Sequence, residues 1–252
     1  MKALSKKVAV ITGAGSGIGK AIAELFAKQG AVVVLTDIHQ QNIEAVTAAI
    51  RDAGGIASCY AADIADEEDV NLLIDYTLRT YHSLDILVNN AGIMDNFTPV
   101  EDVSNELWDK VMAVNLKGPF YTCRKSVKIF MEQGAGIIIN IASIGGLNGG
   151  RAGAAYTASK HGLIGLTKNI GYQYAKNGIR CNAIAPGGVN TNIIQGMDAN
   201  AFGFDRMSAG AGNNPRTGEP IEIAELALFL ASDKSGFING AVMVADGGWT
   251  AY

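Results

Sequence analysis

The chain has 252 residues, 48% of them hydrophobic and 17% charged, which is enough apolar material for the core of one large α/β domain. A formal net charge of −4 leaves no basic stripe for nucleic acid or an anionic membrane. Cys59, Cys123 and Cys181 are odd in number and widely spaced, and His39, His82 and His161 are scattered, so the sequence shows neither a disulfide framework nor a metal site.

Residues 1–7 run straight into an apolar strand without the longer apolar run and cleavage site of a secretory signal, so a cytoplasmic location is expected. Short β-branched runs then alternate with amphipathic stretches. Strands are expected over 8–12, 32–37, 58–63 and 86–89, with helices ending at 29 and spanning 41–53 and 67–81. A long helical stretch over 104–131 follows, then a strand over 137–141, a helix running to 176 and a strand over 179–185. After Pro186 comes a looser tract over 187–220, a helix over 221–231 and a last strand over 241–245. Gly30 and Gly178 sit where helices are expected to end. This βαβ rhythm, without linker, repeat or low-complexity segment, predicts one doubly wound domain over 1–252 on a seven-stranded parallel sheet.

Between the first strand and helix lies Thr12-Gly13-Ala14-Gly15-Ser16-Gly17-Ile18-Gly19, where small residues let backbone amides approach a pyrophosphate. The spacing is G-x-G-x-G-x-G, and a plain strand-to-helix turn suits it equally. Asp37 stands 18 residues after Gly19 at the end of the second strand, where a carboxylate accepts both hydroxyls of an adenosine ribose. By itself Asp37 also suits a helix cap; together with the glycines it favours a nucleotide. The carboxylate would repel a 2′-phosphate, and Ala14, Thr36 and Ile38 offer no cation to offset it, so NAD(H) is favoured over NADP. His39 is the one nearby group that would assist a phosphate, and Lys20 is expected on the exposed side of the first helix. Asp63-Ile64 and Asn89-Asn90-Ala91-Gly92 end the third and fourth strands, and ligands bind at strand carboxyl ends in such sheets.

Tyr156 and Lys160 are four positions apart in a helical stretch and leave one helix face. A phenol of pKa near ~10 is a poor acid or base at neutral pH, but a fixed ammonium beside it favours the phenolate. The pair is a candidate general acid/base unit, although a surface tyrosine stacked on a lysine stem has the same spacing.

With the glycine loop, Asn89-Asn90-Ala91-Gly92, Ser143, Tyr156-x-x-x-Lys160 and Pro186-Gly187 in order over nearly the whole chain, the sequence resembles the short-chain dehydrogenase/reductase family. The resemblance implies a Rossmann-type fold, a nicotinamide cofactor and a homotetramer. It implies Tyr156 as general acid in carbonyl reduction and base in alcohol oxidation, with Lys160 holding the nicotinamide ribose and lowering the phenol's pKa. Ser143 would donate to the substrate oxygen, and Asn115 would hold a water in the proton relay. Asn89 and Gly92 would support the central strand and the adenosine side, with Ala91 between them. Asp63 and Ile64 would flank adenine, and Pro186, Gly187, Val189 and Thr191 would meet the carboxamide. Ala142 departs from a pattern in which many members carry a second serine.

The tract over 190–220 carries Ile193, Ile194, Met197, Phe202, Phe204 and Met207 and is expected to form a mobile lid, with Met94, Leu147 and Asn148 as further wall residues. The same side chains would also serve packing or a subunit contact. Arg206 is the cation in the lid's middle, which disfavours a phosphorylated substrate, and Arg216 is expected to be structural. Trp249 and Tyr252 are expected at a subunit interface. The expected activity is interconversion of a small neutral ketone and a secondary alcohol with NAD(H). A 3-oxoacyl carrier-protein reductase shares every motif but generally prefers NADPH, and a non-catalytic NAD(H) sensor would have no need of a proton relay.

Overall fold

A computed structural model describes residues 2–251. Its strands are β1 (Val8–Thr12), β2 (Val32–Thr36), β3 (Ile56–Cys59), β4 (Ile86–Asn89), β5 (Gly136–Ile141), β6 (Ile179–Pro186) and β7 (Val242–Ala245). They form one parallel sheet in the order β3-β2-β1-β4-β5-β6-β7. The connecting helices are α1 (Gly17–Lys28), α2 (Gln40–Asp52), α3 (Glu67–Tyr81), α4 (Asn105–Met112), α5 (Gly118–Gln133), α6 (Ala154–Gln173), α7 (Ala201–Ser208) and α8 (Pro220–Ala231). This is the expected Rossmann-type, doubly wound single domain.

Alternate strand residues feed opposite layers, which is why the strands read as unbroken apolar runs. Ala9, Ile11, Val33, Leu35, Ile86, Val88 and Ile139 meet Ile22 and Phe26 of α1, Ile43 of α2 and Leu230 of α8. Val10, Val34, Leu87 and Ile138 meet Leu73 and Ile74 of α3, Val127 and Phe130 of α5 and Ile170 of α6. The chain passes from β1 outward to β3 and then returns to β4 on the other side of β1. Past the carboxyl ends of β1 and β4, neighbouring connections therefore diverge and open a crevice.

Three departures from the expected elements have physical causes. β3 ends at Cys59 rather than at 63, because its partner β2 stops at Thr36 and only isolated bonds from Tyr60 and Ala62 continue the pairing. The single helix expected over 104–131 is two helices joined by a π-turn, Ala113–Lys117. Pro119 has no N–H to bond the Asn115 carbonyl four residues back, and side-chain periodicity does not register the extra residue. The tract over 187–220 contains α7, capped by the Asn200 side chain, which accepts from Gly203 N at 2.9 Å. Among the described residues no helix is long and apolar enough to cross a membrane.

Candidate active site

A cleft of about 600 Å³ runs along the crevice. One end is lined by Gly13, Ser16, Gly17, Ile18, Asp37, Ile38, His39, Asp63 and Ile64, the other by Ala91, Gly92, Met94, Lys110, Ser143, Tyr156, Lys160, Pro186, Gly187, Val189, Thr191 and Ile193. Most of the predicted residues thus share one wall or the other. Three do not line it: Gly19, Asn89 and Asn115 lie behind it.

The turn after β1 works through what it lacks. Gly13 adopts φ +63°, and a Cβ there would sit 2.8 Å from Ala91 Cα. Gly17, at φ +51°, faces Thr191 in the same way. Ser16 precedes α1 but makes no side-chain cap; its hydroxyl donates instead to Asn192 Oδ1 at 3.1 Å. The first N–H groups of α1 are therefore left for a ligand. Asp37 Oδ2 accepts from Gly15 N at 3.2 Å and Oδ1 from His39 N at 3.1 Å. A cradle without Cβ atoms, uncapped helix N–H groups and a carboxylate beside them fit a dinucleotide. Lys20 is exposed, as expected.

Asn89 is buried in the sheet. Its amide donates to Asn140 Oδ1 at 2.8 Å, and its oxygen accepts from Thr122 Oγ1 at 2.6 Å, tying β4 to β5 and α5. Asn90 takes the exposed role: Nδ2 donates to the carbonyls of Thr12 and Gly13, locking the glycine turn. Asn115, fully buried in the π-turn, grips Ile93 twice, accepting from its N–H at 2.8 Å and donating to its carbonyl at 2.9 Å. Its amide also reaches Ser159 Oγ at 3.3 Å.

Tyr156 and Lys160 are only 8% and 4% exposed. Lys160 Nζ donates to Ile141 O at 2.9 Å and lies 5.6 Å from the Tyr156 ring centroid. Gly92 packs beside both Asn115 and Lys160: a Cβ there would lie 3.3 Å from Asn115 Oδ1 and 3.5 Å from Nζ. Ser143 Oγ accepts from Gly145 N at 3.0 Å and shares the cleft wall with Tyr156, whose phenol it lowers. Burial pushes the phenol up to about 12, Ser143 pulls it down, and the charge of Asp95 adds to the rise. Burial also pulls the Lys160 ammonium down to about 8. The Lys160 ammonium is turned to the Ile141 carbonyl, and burial together with Asp95 outweighs Ser143 at the phenol.

Asp95 escaped sequence reading. It lies in the loop after β4, fully buried, and accepts from Gly153 N at 3.0 Å and Tyr156 N at 2.8 Å. The signal was the uncapped Gly153-Ala154-Ala155 start of α6, which needs an acceptor from elsewhere.

The lid residues divide. Ile193 reaches the cleft, whereas Phe202, Arg206 and Met207 line a second cavity with Phe97, Thr157 and His161 on the outer face of α6. Phe204 packs edge-on against Phe97 at 5.6 Å. Of the other expected wall residues, Met94 lines the cleft; Leu147 and Asn148 do not. Arg216 is paired with Glu222, as expected of a structural residue. Trp249, expected at an interface, is buried in its own chain: Nε1 donates to Gly210 O at 2.9 Å and Arg151 stacks 4.4 Å from the ring centroid. Tyr252 lies outside the described residues.

A protein-family model described as "Enoyl-(Acyl carrier protein) reductase" matches residues 13–250. The chain is 44% identical to 3beta-hydroxysteroid dehydrogenase 2 of Eggerthella lenta over 251 residues, covering 99% of this chain and 96% of the relative. It is 38% identical to cyclohexanol dehydrogenase of an Acinetobacter species over 248 residues, with 98% and 96% covered. A crystal structure from Beutenbergia cavernae, described as an NAD(P)-dependent gluconate 5-dehydrogenase with NADP bound at low occupancy, superposes with TM-score 0.89 at 37% identity, covering 99% of each chain.

Proposed function

The chain belongs to the short-chain dehydrogenase/reductase family of oxidoreductases, and on that footing we propose that it interconverts a small neutral ketone and a secondary alcohol with NAD(H). The observation that carries this reading is the shared wall of Ser143, Tyr156 and Lys160, with Asp37 at the other end of the same cleft. The nicotinamide, when bound, supplies or accepts the hydride. In alcohol oxidation Tyr156, as phenolate, takes the hydroxyl proton; in reduction its neutral form returns a proton to the carbonyl oxygen. Ser143 donates to that oxygen as charge develops. Lys160 would hold the nicotinamide ribose from its place on the same wall as the phenol. Asn115 keeps the loop carrying Ile93 in place beside a relay water. Asp37 accepts the adenosine ribose hydroxyls; Asp63 and Ile64 flank the adenine, and Pro186, Gly187, Val189 and Thr191 meet the carboxamide. The segment over 190–220 closes over the substrate.

The apolar contribution of Met94 and Ile193 to the cleft, and the hydroxysteroid and cyclohexanol named for two relatives, support an alicyclic or otherwise partly hydrophobic substrate. A second reading, NADPH with a carrier-bound acyl substrate, draws on the family model's description and on the NADP in the Beutenbergia structure. Against it, no lysine or arginine lines the Asp37 end of the cleft. Oxidation of NADH and NADPH over a panel of alicyclic ketones, steroids and acyl thioesters tests both. Turnover with NADH on neutral ketones, lost in Tyr156→Phe with NADH binding retained, supports the first. Turnover confined to NADPH and acyl thioesters replaces it with the second.

A further inference from the structure

We propose that Asp95 is a positioning residue for this reaction: from the loop after β4 its buried carboxylate caps the catalytic helix and seats Tyr156 through its backbone. The inference rests on the reading of Tyr156 as acid/base.

α6 begins without a capping side chain of its own. Gly153 is the N-cap, and Tyr156 is the third helical residue, where an N–H would otherwise be an orphan. Asp95 satisfies both N–H groups from 58 and 61 residues away, and Thr98 O accepts from Ala154 N at 3.0 Å. Three of the first four donors at the start of the helix, those of Gly153, Ala154 and Tyr156, are thus bound to a single loop. That loop is in turn held by Asn115, through Ile93, and Asn115 also reaches Ser159 on the next turn of α6. The loop and the helix are pinned at two places, one on each side of Tyr156.

The corner is built at a cost. Asn96 and Phe97 are both left-handed, each at φ +56°, and consecutive non-glycine residues in that region store on the order of 1–3 kcal/mol each. The turn they make brings the Asp95 carboxylate back onto α6. Gly153 is required by the same contact, because a Cβ there would lie 2.5 Å from Asp95 Oδ2 and from both the N and O of Thr98. A buried carboxylate is expensive unless hydrogen-bonded, and a neutral cap would satisfy a helix start at less cost. The two N–H donors to the Asp95 carboxylate and the helix N-terminus offset that cost. Asp95 does not line the cleft; it meets Tyr156 at the backbone N–H, while the charged or titratable side chains that do line the cleft besides Tyr156 are Lys160 on α6, Lys110 from α4, and Asp37, His39 and Asp63 at the far end. The charge of Asp95 raises the phenol, a smaller contribution than that of burial, and its removal is read in the Tyr156 limb of the pH profile.

Two variants separate seat from charge. Asp95→Asn keeps the shape but loses the charge and turns a donor toward one of the two N–H groups. Gly153→Ala keeps the charge and displaces the contact. Turnover should fall in both, by about tenfold to a hundredfold, the scale expected when a reacting group is misplaced by around 1 Å. KM for NAD should stay within about threefold, because neither residue lines the adenine end. The limb of the pH profile assigned to Tyr156 should move to lower pH in Asp95→Asn and stay in place in Gly153→Ala. Native turnover and an unmoved limb in Asp95→Asn, with only a lower unfolding midpoint, would make Asp95 purely structural and overturn the proposal. Should Asp95→Asn fail to fold, native turnover in Gly153→Ala overturns it instead. Tyr156→Phe is assayed alongside: activity there defeats the acid/base reading itself, whereas an inactive Tyr156→Phe beside an unaffected Asp95→Asn defeats this inference alone.

Discussion

Replacing Lys160 by methionine should stabilise the nucleotide-free protein at neutral pH while abolishing turnover. The lysine is 4% exposed and its only hydrogen bond in the structure is to Ile141 O. Burial lowers its ammonium from the ordinary 10.5 to about 8. Because the folded pKa is depressed, the unfolded chain binds more protons between those values, and stability lost at low pH is recovered as pH rises. Below pH 8 the folded protein carries a buried charge costing about 3 kcal/mol, from roughly 1.4 kcal/mol per unit over the depression. Methionine fills similar space without charge and leaves the Ile141 carbonyl without this donor, which offsets about 1–2 kcal/mol. The net expectation at pH 7 is a variant more stable by about 1–2 kcal/mol, and at pH 10.5 one less stable than the native protein. Urea unfolding of both proteins at pH 7, 9 and 10.5 reads the difference directly. The carbonyl's offset is the same at each pH, so the change in the gap isolates the charge. A gap that stays constant across the series would mean that Lys160 is not desolvated in the folded state.

Further outcomes follow from the nucleotide end and the lid. Asp37→Ala removes a unit charge about 5 Å from where a 2′-phosphate would sit; at effective dielectrics of about 20–80 this is about 1–3 kcal/mol, so the NAD/NADP ratio of kcat/KM should fall about fivefold to a hundredfold. An unchanged ratio would remove Asp37 as the discriminator. Gly13→Ala puts a Cβ 2.8 Å from Ala91 Cα at φ +63°, and NADH binding followed by fluorescence should weaken at least about tenfold, since the left-handed conformation alone costs about 1–2 kcal/mol. Trp249→Phe removes one of two donors to Gly210 O but keeps a ring for Arg151. Limited proteolysis should then nick the segment over 190–220 severalfold faster, with the global unfolding midpoint near native.

What the sequence displays and what it hides divide by the range of the interaction involved. The alternating layers are legible because period and burial coincide: β1, α3 and β4 fall at the expected residues. Glycines that make a cradle and an i,i+4 pair on one helix are local, and both reach the cleft. The π-turn stays hidden because a continuous apolar stripe runs through it. α7 stays hidden because its signal is a single capping asparagine in a glycine-rich tract. Trp249 is placed at an interface by resemblance alone, and its contacts within the chain stay hidden because Gly210 and Arg151 are 39 and 98 positions away. Asp95 is invisible for the same reason, since an aspartate in a loop reads as solvated until the helix it caps is folded against it.

The placement of strain and charge argues that the cleft side is where this fold gives up stability. Among the described residues, Asn96 and Phe97 form the one consecutive non-glycine pair with positive φ. The buried Lys160, the buried Asp95 and the π-turn around Asn115 all lie within the same loop-and-helix assembly. None is what a chain selected only for stability would choose; each is fixed by hydrogen bonds to backbone rather than to a neighbouring charge. Lys160 holds a carbonyl, Asp95 two N–H groups, and Asn115 both sides of one peptide. Side chains anchored to backbone cannot drift toward one another when a proton moves. A buried lysine and aspartate that paired directly would quench both charges and leave the phenol with neither. Lys160 and Asp95 are instead each kept on backbone partners, which holds them apart. The covered apolar layers on both faces of the sheet supply the rigidity against which that separation is held.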